Sequence, residues 1–156
     1  MKIIIAGAGA VGTHLARMLS NDHQDVVLID ADEAKLMRLA GELDIMTLVK
    51  QPTSIQGLQD ANVNRADLFI AVTPNESENL TCAMLAKHLG AKKTVARVDN
   101  YEYMKPDNLE LFKGLGIESL IYPELLAAED IQASSRYSWL RQLWEFNNGE
   151  LLLLSV

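Results

Sequence analysis

The chain has 156 residues, 49% of them hydrophobic, enough to bury one ordinary domain core and too few for a second large domain. A formal net charge of −7 at pH 7, with no cationic run, argues against a nucleic-acid partner, whose phosphates would be repelled. No apolar stretch is long enough to span a bilayer and no basic segment leads to a cleavage site, so a cytoplasmic chain without direct membrane insertion is expected.

In chain order, Lys2 to Ala6 is an apolar run of strand character, followed by Gly7-Ala8-Gly9-Ala10-Val11-Gly12 and a helical pattern from about Ala10 to Ser20. Three glycines at this spacing between a strand and a helix predict a phosphate-binding turn. Gly7 permits the sharp turn, Gly9 removes the side chain where backbone meets a pyrophosphate, and Gly12 lets the helix lie close on the strand. Phosphates would rest on amides at the helix N-terminus, where the helix dipole also favours negative charge. The helix carries Val11, Leu15, Met18 and Leu19 on one face, a helical spacing.

Val26 to Ile29 is a continuous apolar strand of the kind that helices cover on both faces, and it ends at Asp30. Asp30 stands 18 residues beyond Gly12, close to the distance at which a carboxylate accepts the adenosine ribose hydroxyls. Helix N-capping is its competing role, one that Asp32 can fill as well. No arginine follows in Asp30-Ala31-Asp32-Glu33-Ala34-Lys35, which predicts a preference for NAD or adenine nucleotides over NADP.

A second helix is predicted over about 33–42 with Leu36, Leu39 and Ala40 inward, then a short strand over 45–49 and a capped helix from Ser54 to near Asn62. The fourth strand, Leu68 to Val72, leads into Thr73-Pro74-Asn75-Glu76-Ser77. In a doubly wound sheet this is the ligand crevice, so Thr73 and Pro74 either line a nucleotide or serve only turn and cap chemistry. A helix over 77–89 carries Leu80, Ala83, Met84 and Leu85 and stops at Gly90; the single cysteine, Cys82, is expected to be an inert core thiol.

Arg97 is a lone cation in the apolar strand over 94–98, either tied to a carboxylate such as Asp99 or directed at ligand phosphates. A helix over 101–113 and a strand over 117–121 follow. Together these elements predict an α/β doubly wound Rossmann fold over residues 1–122, with a mainly parallel six-stranded sheet in the order 3-2-1-4-5-6. Residues 123–156 read as a C-terminal helix, started by Pro123 and running from about Leu125 to Leu143 or Trp144, then Leu151 to Val156 as the first strand of an unfinished lobe. Such a strand is a liability unless paired, so both a covering partner subunit and truncation of a longer protein are expected.

Met1-Lys2-Ile3-Ile4-Ile5-Ala6 with its glycine turn, the Val27-Leu28-Ile29-Asp30 strand end, Ala71-Val72-Thr73 with Asn79-Leu80, Ala96-Arg97-Val98 and Tyr122-Pro123-Glu124-Leu125-Leu126-Ala127-Ala128 resemble one family. It is the nucleotide-binding N-terminal domain of TrkA-type proteins, the peripheral subunits of bacterial Trk potassium uptake systems, and the resemblance covers nearly the whole chain. The resemblance implies a regulator, not an enzyme, that binds NAD, NADH, ADP or ATP and forms a homo-oligomer, a dimer or larger ring. Its other partner would be an integral membrane potassium transporter subunit, which holds it at the inner membrane. Carried onto this sequence, nucleotide contacts fall on Gly7 to Val11, Asp30, Thr73, Pro74 and Arg97, with Glu124 near the nucleotide and a subunit interface. Many relatives carry Gly-Asp after the third strand where this chain has Lys50-Gln51-Pro52, which puts in doubt an adenine or ribose contact made there. Ala10 also places no charged side chain at the phosphates.

The alternative class is an NAD-dependent oxidoreductase, which needs a substrate pocket and an acid or base beside the nicotinamide. His14, His23 and His88 are scattered over separate helices and turns, and no metal-ligand cluster appears. Tyr101 and Lys105 have Tyr-x-x-x-Lys spacing but follow Asn100 at a helix start, the wrong context for that motif.

Overall fold

Strands form where β-branched residues run together: β1 is Lys2–Ala6 and β2 is Asp25–Asp30, and Ile3 to Ala6 and Val26 to Ile29 are each at most 2% exposed. β3 (Met46–Val49), β4 (Leu68–Ala71), β5 (Lys93–Arg97) and β6 (Ser119–Ile121) complete a six-stranded sheet. Its order is β3-β2-β1-β4-β5-β6 and every pairing is parallel, the Rossmann arrangement. The chain direction across the sheet reverses between β1 and β4, where Ala6 pairs with Ala71. The computed structural model describes residues 1–125, 127–128, 142–146 and 151–155, and it divides into two units, Met1–Ile121 and Tyr122–Val156.

The crossover helices are α1 (Ala10–Asn21), α2 (Glu33–Ala40), α3 (Ile55–Asp60), α4 (Glu76–His88) and α5 (Pro106–Gly114). Ile3, Ile5, Val26 and Leu28 form one core cluster with Ala16 of α1 and Leu36 and Leu39 of α2. Each such aliphatic side chain contributes about 1.5–3 kcal/mol on full burial.

Several inward faces differ from the periodicity reading. In α1 the buried residues are Gly12 and Ala16, while Val11 is 45% and Met18 51% exposed. The helix lies so close to the strands that small residues must face them, and Leu15 and Leu19 pack at the flank. Ala40 is exposed, and α4 buries Asn79, Cys82, Ala83 and Ala86 while Leu80, Met84 and Leu85 are half-buried. The helix expected over 101–113 is two pieces, a 3-10 turn Tyr101–Met104 and α5. Pro106 separates them: it lacks an N–H and holds Lys105 extended at φ −66°, ψ 143°.

At the amino end of the sheet, Asp67 accepts hydrogen bonds from the Lys2 backbone N–H at 2.8 Å and Lys92 Nζ at 2.7 Å. The Lys92 hydrogen bond first, then that of Lys2, holds its carboxyl below the ordinary value of 3.8.

In the second unit, residues 123–125 and 127–128 are helical. The helix expected to reach Leu143 or Trp144 does not do so, because Gln142–Phe146 is a strand, β7, paired antiparallel with β8 (Leu151–Ser155). The rest of that expected helix, with Leu126, Ile131, Tyr137 and Leu140, lies outside the described residues. Asn147-Asn148-Gly149 between two apolar runs is a hairpin signal that the helical reading passed over. Since Leu151–Ser155 has a partner strand within the chain, an unpaired strand no longer argues for a covering subunit.

Candidate functional site

Gly7 follows β1 at φ +109°, a conformation that L side chains rarely adopt, and a Cβ there would lie 2.9 Å from Thr73 N. The turn is therefore packed against the end of β4. Gly12, one turn into α1, would place a Cβ 1.8 Å from Gly7 O, whereas a Cβ at Gly9 meets nothing within 4 Å. Gly7 and Gly12 are thus held by tight packing, while Gly9 borders open space. Gly9 is also the N-cap of α1 and offers no side-chain cap, whereas Asp32, Ser54 and Asn75 cap α2, α3 and α4. The first amides of α1 are thus left without a capping side chain at a helix end that favours an anion.

Asp30 ends β2 and faces the turn. Its Oδ2 accepts from Ala8 N at 2.6 Å and its Oδ1 from Asp32 N at 2.8 Å. The capping alternative falls to Asp32, which accepts from Lys35 N at 3.2 Å, while Asp30 ties the glycine turn to the start of α2. A carboxylate has about four acceptor positions, so two remain beyond these two amides. Lys50 lies alongside, its N–H donating to Asp30 O at 3.0 Å.

Thr73 and Arg97 are joined by a residue that sequence reasoning did not assign. Asn79 of α4 is 1% exposed. Its Oδ1 accepts from Thr73 N and Thr73 Oγ1, both at 2.8 Å, and its Nδ2 donates to Thr73 O and Arg97 O, both at 3.0 Å. Glu76 adds a second link, accepting from Asp99 N at 2.6 Å and Asn100 N at 2.7 Å. A polar residue on an otherwise inward helix face was the available signal, but its partners are 6 and 18 residues away. Arg97 Nη2 contacts Asp99 Oδ1 at 3.1 Å, and its buried Nε has no hydrogen-bond partner among the described residues. Pro74 is exposed beside Thr73. Asp30, Ala8, Gly7, Thr73, Asn79 and Arg97 thus form a continuous chain of contacts along the carboxyl ends of β2, β1, β4 and β5.

A cleft of about 590 Å³ opens on the other side of the turn, between α1 and α2. Ala8, Gly9 and Ala10 line one end of it, and Thr73, Pro74 and Arg97 take no part. Thr13, His14, Arg17, Lys35, Arg38, Leu39 and Glu42 line the rest, and its basic residues form a grouping that the sequence does not display as a run. Cys82 is fully buried, and burial pushes its thiol up to about 12, in keeping with an inert core residue. Among the described residues there is no group of three or more His, Cys, Asp or Glu that could hold a metal, and no helix is long and apolar enough to cross a membrane.

A family model for the TrkA-N domain matches residues 3–123. The chain belongs to the TrkA-N domain family. It is 41% identical over 156 residues to a Trk system potassium uptake protein TrkA homolog from Archaeoglobus fulgidus, covering 100% of this chain and 35% of that protein. The same fold occurs in the TrkA-N domain of the inner membrane protein YbaL from Escherichia coli, at TM-score 0.73 and 17% identity, over 85% of this chain and 94% of that one. It also occurs in the GsuK channel bound to NAD, at TM-score 0.63 and 18% identity, over 93% of this chain and 25% of that one.

Proposed function

We propose that this TrkA-N domain is a nucleotide-sensing regulatory module of a potassium uptake system and carries no enzymatic step. The observation that carries this reading is the uncapped start of α1 at Gly9, with open space at that glycine and Asp30 fixed beside it. NAD or NADH, or ADP or ATP, would set its pyrophosphate on the α1 amides that follow the Gly9 N-cap, since the Gly7 and Ala8 N–H groups donate to Ile29 O and Asp30, and its ribose hydroxyls on Asp30. Thr73 and Pro74 would line the crevice, and Arg97, with a spare buried donor, would face the phosphates. The name of the A. fulgidus relative supports potassium uptake as the process, and NAD in GsuK supports a dinucleotide on this fold.

The partners in this reading are a second copy of the chain and an integral membrane potassium transporter subunit, with the domain on the cytoplasmic side. Gating follows from differential binding: a nucleotide shifts the assembly by no more than the difference in its affinity for the two arrangements. Calorimetric titration with NAD, NADH, ADP and ATP tests this. Saturable binding of at least one, without NADH consumption in the presence of small carbonyl compounds, is the expected result. No binding by any of the four, or carbonyl-dependent NADH oxidation, would overturn it.

A further inference from the structure

The cleft between α1 and α2 reverses the charge of the molecule locally. In a chain with 21 acidic and 14 basic residues, Arg17, Lys35 and Arg38 converge on it with His14, against Glu42 as the one acid among its described lining residues. None of the cations is tightly engaged. Arg17 meets Glu42 at 3.1 Å and Lys35 meets Asp32 at 3.5 Å, in pairs whose side chains are about half exposed, and Arg38 Nε donates to Ala34 O at 3.3 Å. Exposed pairs of this kind are worth about 0–1 kcal/mol, so they yield readily to a better anion.

The cleft also adjoins the nucleotide turn through one residue. Ala8 lines it and at the same time donates its N–H to Asp30 Oδ2. Asp30 has both oxygens on backbone amides, and Asp32, whose amide is one of them, touches Lys35. A ribose on Asp30 therefore sits at the mouth of a cationic cleft.

We propose that the α1–α2 cleft is a phosphate-monoester site, separate from the helix amides that take a pyrophosphate. The monoester has two sources: the 2′-phosphate of a dinucleotide, which rests on the nucleotide reading above, or inorganic phosphate, which does not. In the first case Lys35 and Arg38 offset the repulsion expected from Asp30, and NADP is accepted alongside NAD.

The test is titration of the whole chain with NAD, NADP and inorganic phosphate, in the wild type, in Lys35→Gln/Arg38→Gln and in Lys93→Gln/Lys113→Gln. The last pair removes the same charge from β5 and α5, and circular dichroism checks that all three fold. For a nucleotide-borne monoester, NADP binds the wild type no more weakly than NAD, loses about tenfold in Lys35→Gln/Arg38→Gln while NAD changes less than about twofold, and keeps its preference in the control. For the free anion, phosphate binds the wild type and the control but not the cleft variant. A NADP-to-NAD ratio unmoved by the cleft variant, together with no cleft-dependent phosphate binding, overturns the proposal while leaving NAD binding intact. Failure of both dinucleotides defeats the nucleotide reading, and the phosphate arm then decides the cleft alone.

Discussion

Gly9 and Gly12 stand three residues apart and meet opposite surroundings. A methyl at Gly12 would be driven into Gly7 O at 1.8 Å, a backbone atom that cannot move without breaking the turn. Gly12→Ala is expected to cost about 3 kcal/mol or more, roughly 10 °C in Tm, and thermal melting followed by circular dichroism checks it. Gly9 sits at φ −75°, ψ −170°, a conformation open to any residue, with nothing within 4 Å of its missing Cβ. Gly9→Ala should keep the wild-type Tm within about 2 °C yet lose nucleotide binding in calorimetry, because the methyl fills space that the proposed pyrophosphate needs. A Gly9→Ala protein that binds as well as wild type would remove the turn from the site.

At the scale of elements, α4 is fastened to two strands by one side chain. Asn79→Ala leaves Thr73 N–H, Thr73 O and Arg97 O without that partner in a buried place, a loss of about 3 kcal/mol expected from chemical denaturation. If the variant matched wild type within about 0.5 kcal/mol, the buried network would not be holding the two strand ends together. This network also marks where sequence reading stops. Ile3-Ile4-Ile5 and Val26-Val27-Leu28-Ile29 declared buried parallel strands, and the glycine spacing declared the turn, because each signal is local. Asn79 joins groups that are distant in sequence, and Arg17, Lys35 and Arg38 converge only when two helices lie side by side. Periodicity misjudged α1 because it favoured large apolar residues where the backbone approach admits Gly12 and Ala16. It carried the tail's helix to Leu143 or Trp144, inside β7, because Leu143 and Trp144 suit a helix and a hairpin alike and Asn148-Gly149 was the discriminating signal, whereas the strand read from Leu151 is β8.

Across the whole molecule, an acidic chain meets acid with many carboxylates, and Asp67 shows how one of them carries stability. Folding lowers its pKa from 3.8, so its contribution is present above that value and is lost as pH falls through the lower folded-state value. Asp67→Asn is therefore expected to melt below wild type at neutral pH, with the gap narrowing as pH falls below 3.8. Parallel melting curves across that range check it, and a gap constant in pH would assign the loss to packing rather than charge. The interior of the same molecule has a practical bearing on all these measurements. Cys82 is the chain's sole cysteine and is fully buried with its thiol pushed up to about 12, so the folded surface is chemically silent toward thiol reagents. A cysteine placed at any exposed position can take a single fluorophore or spin label in the otherwise native sequence, with no background site to remove.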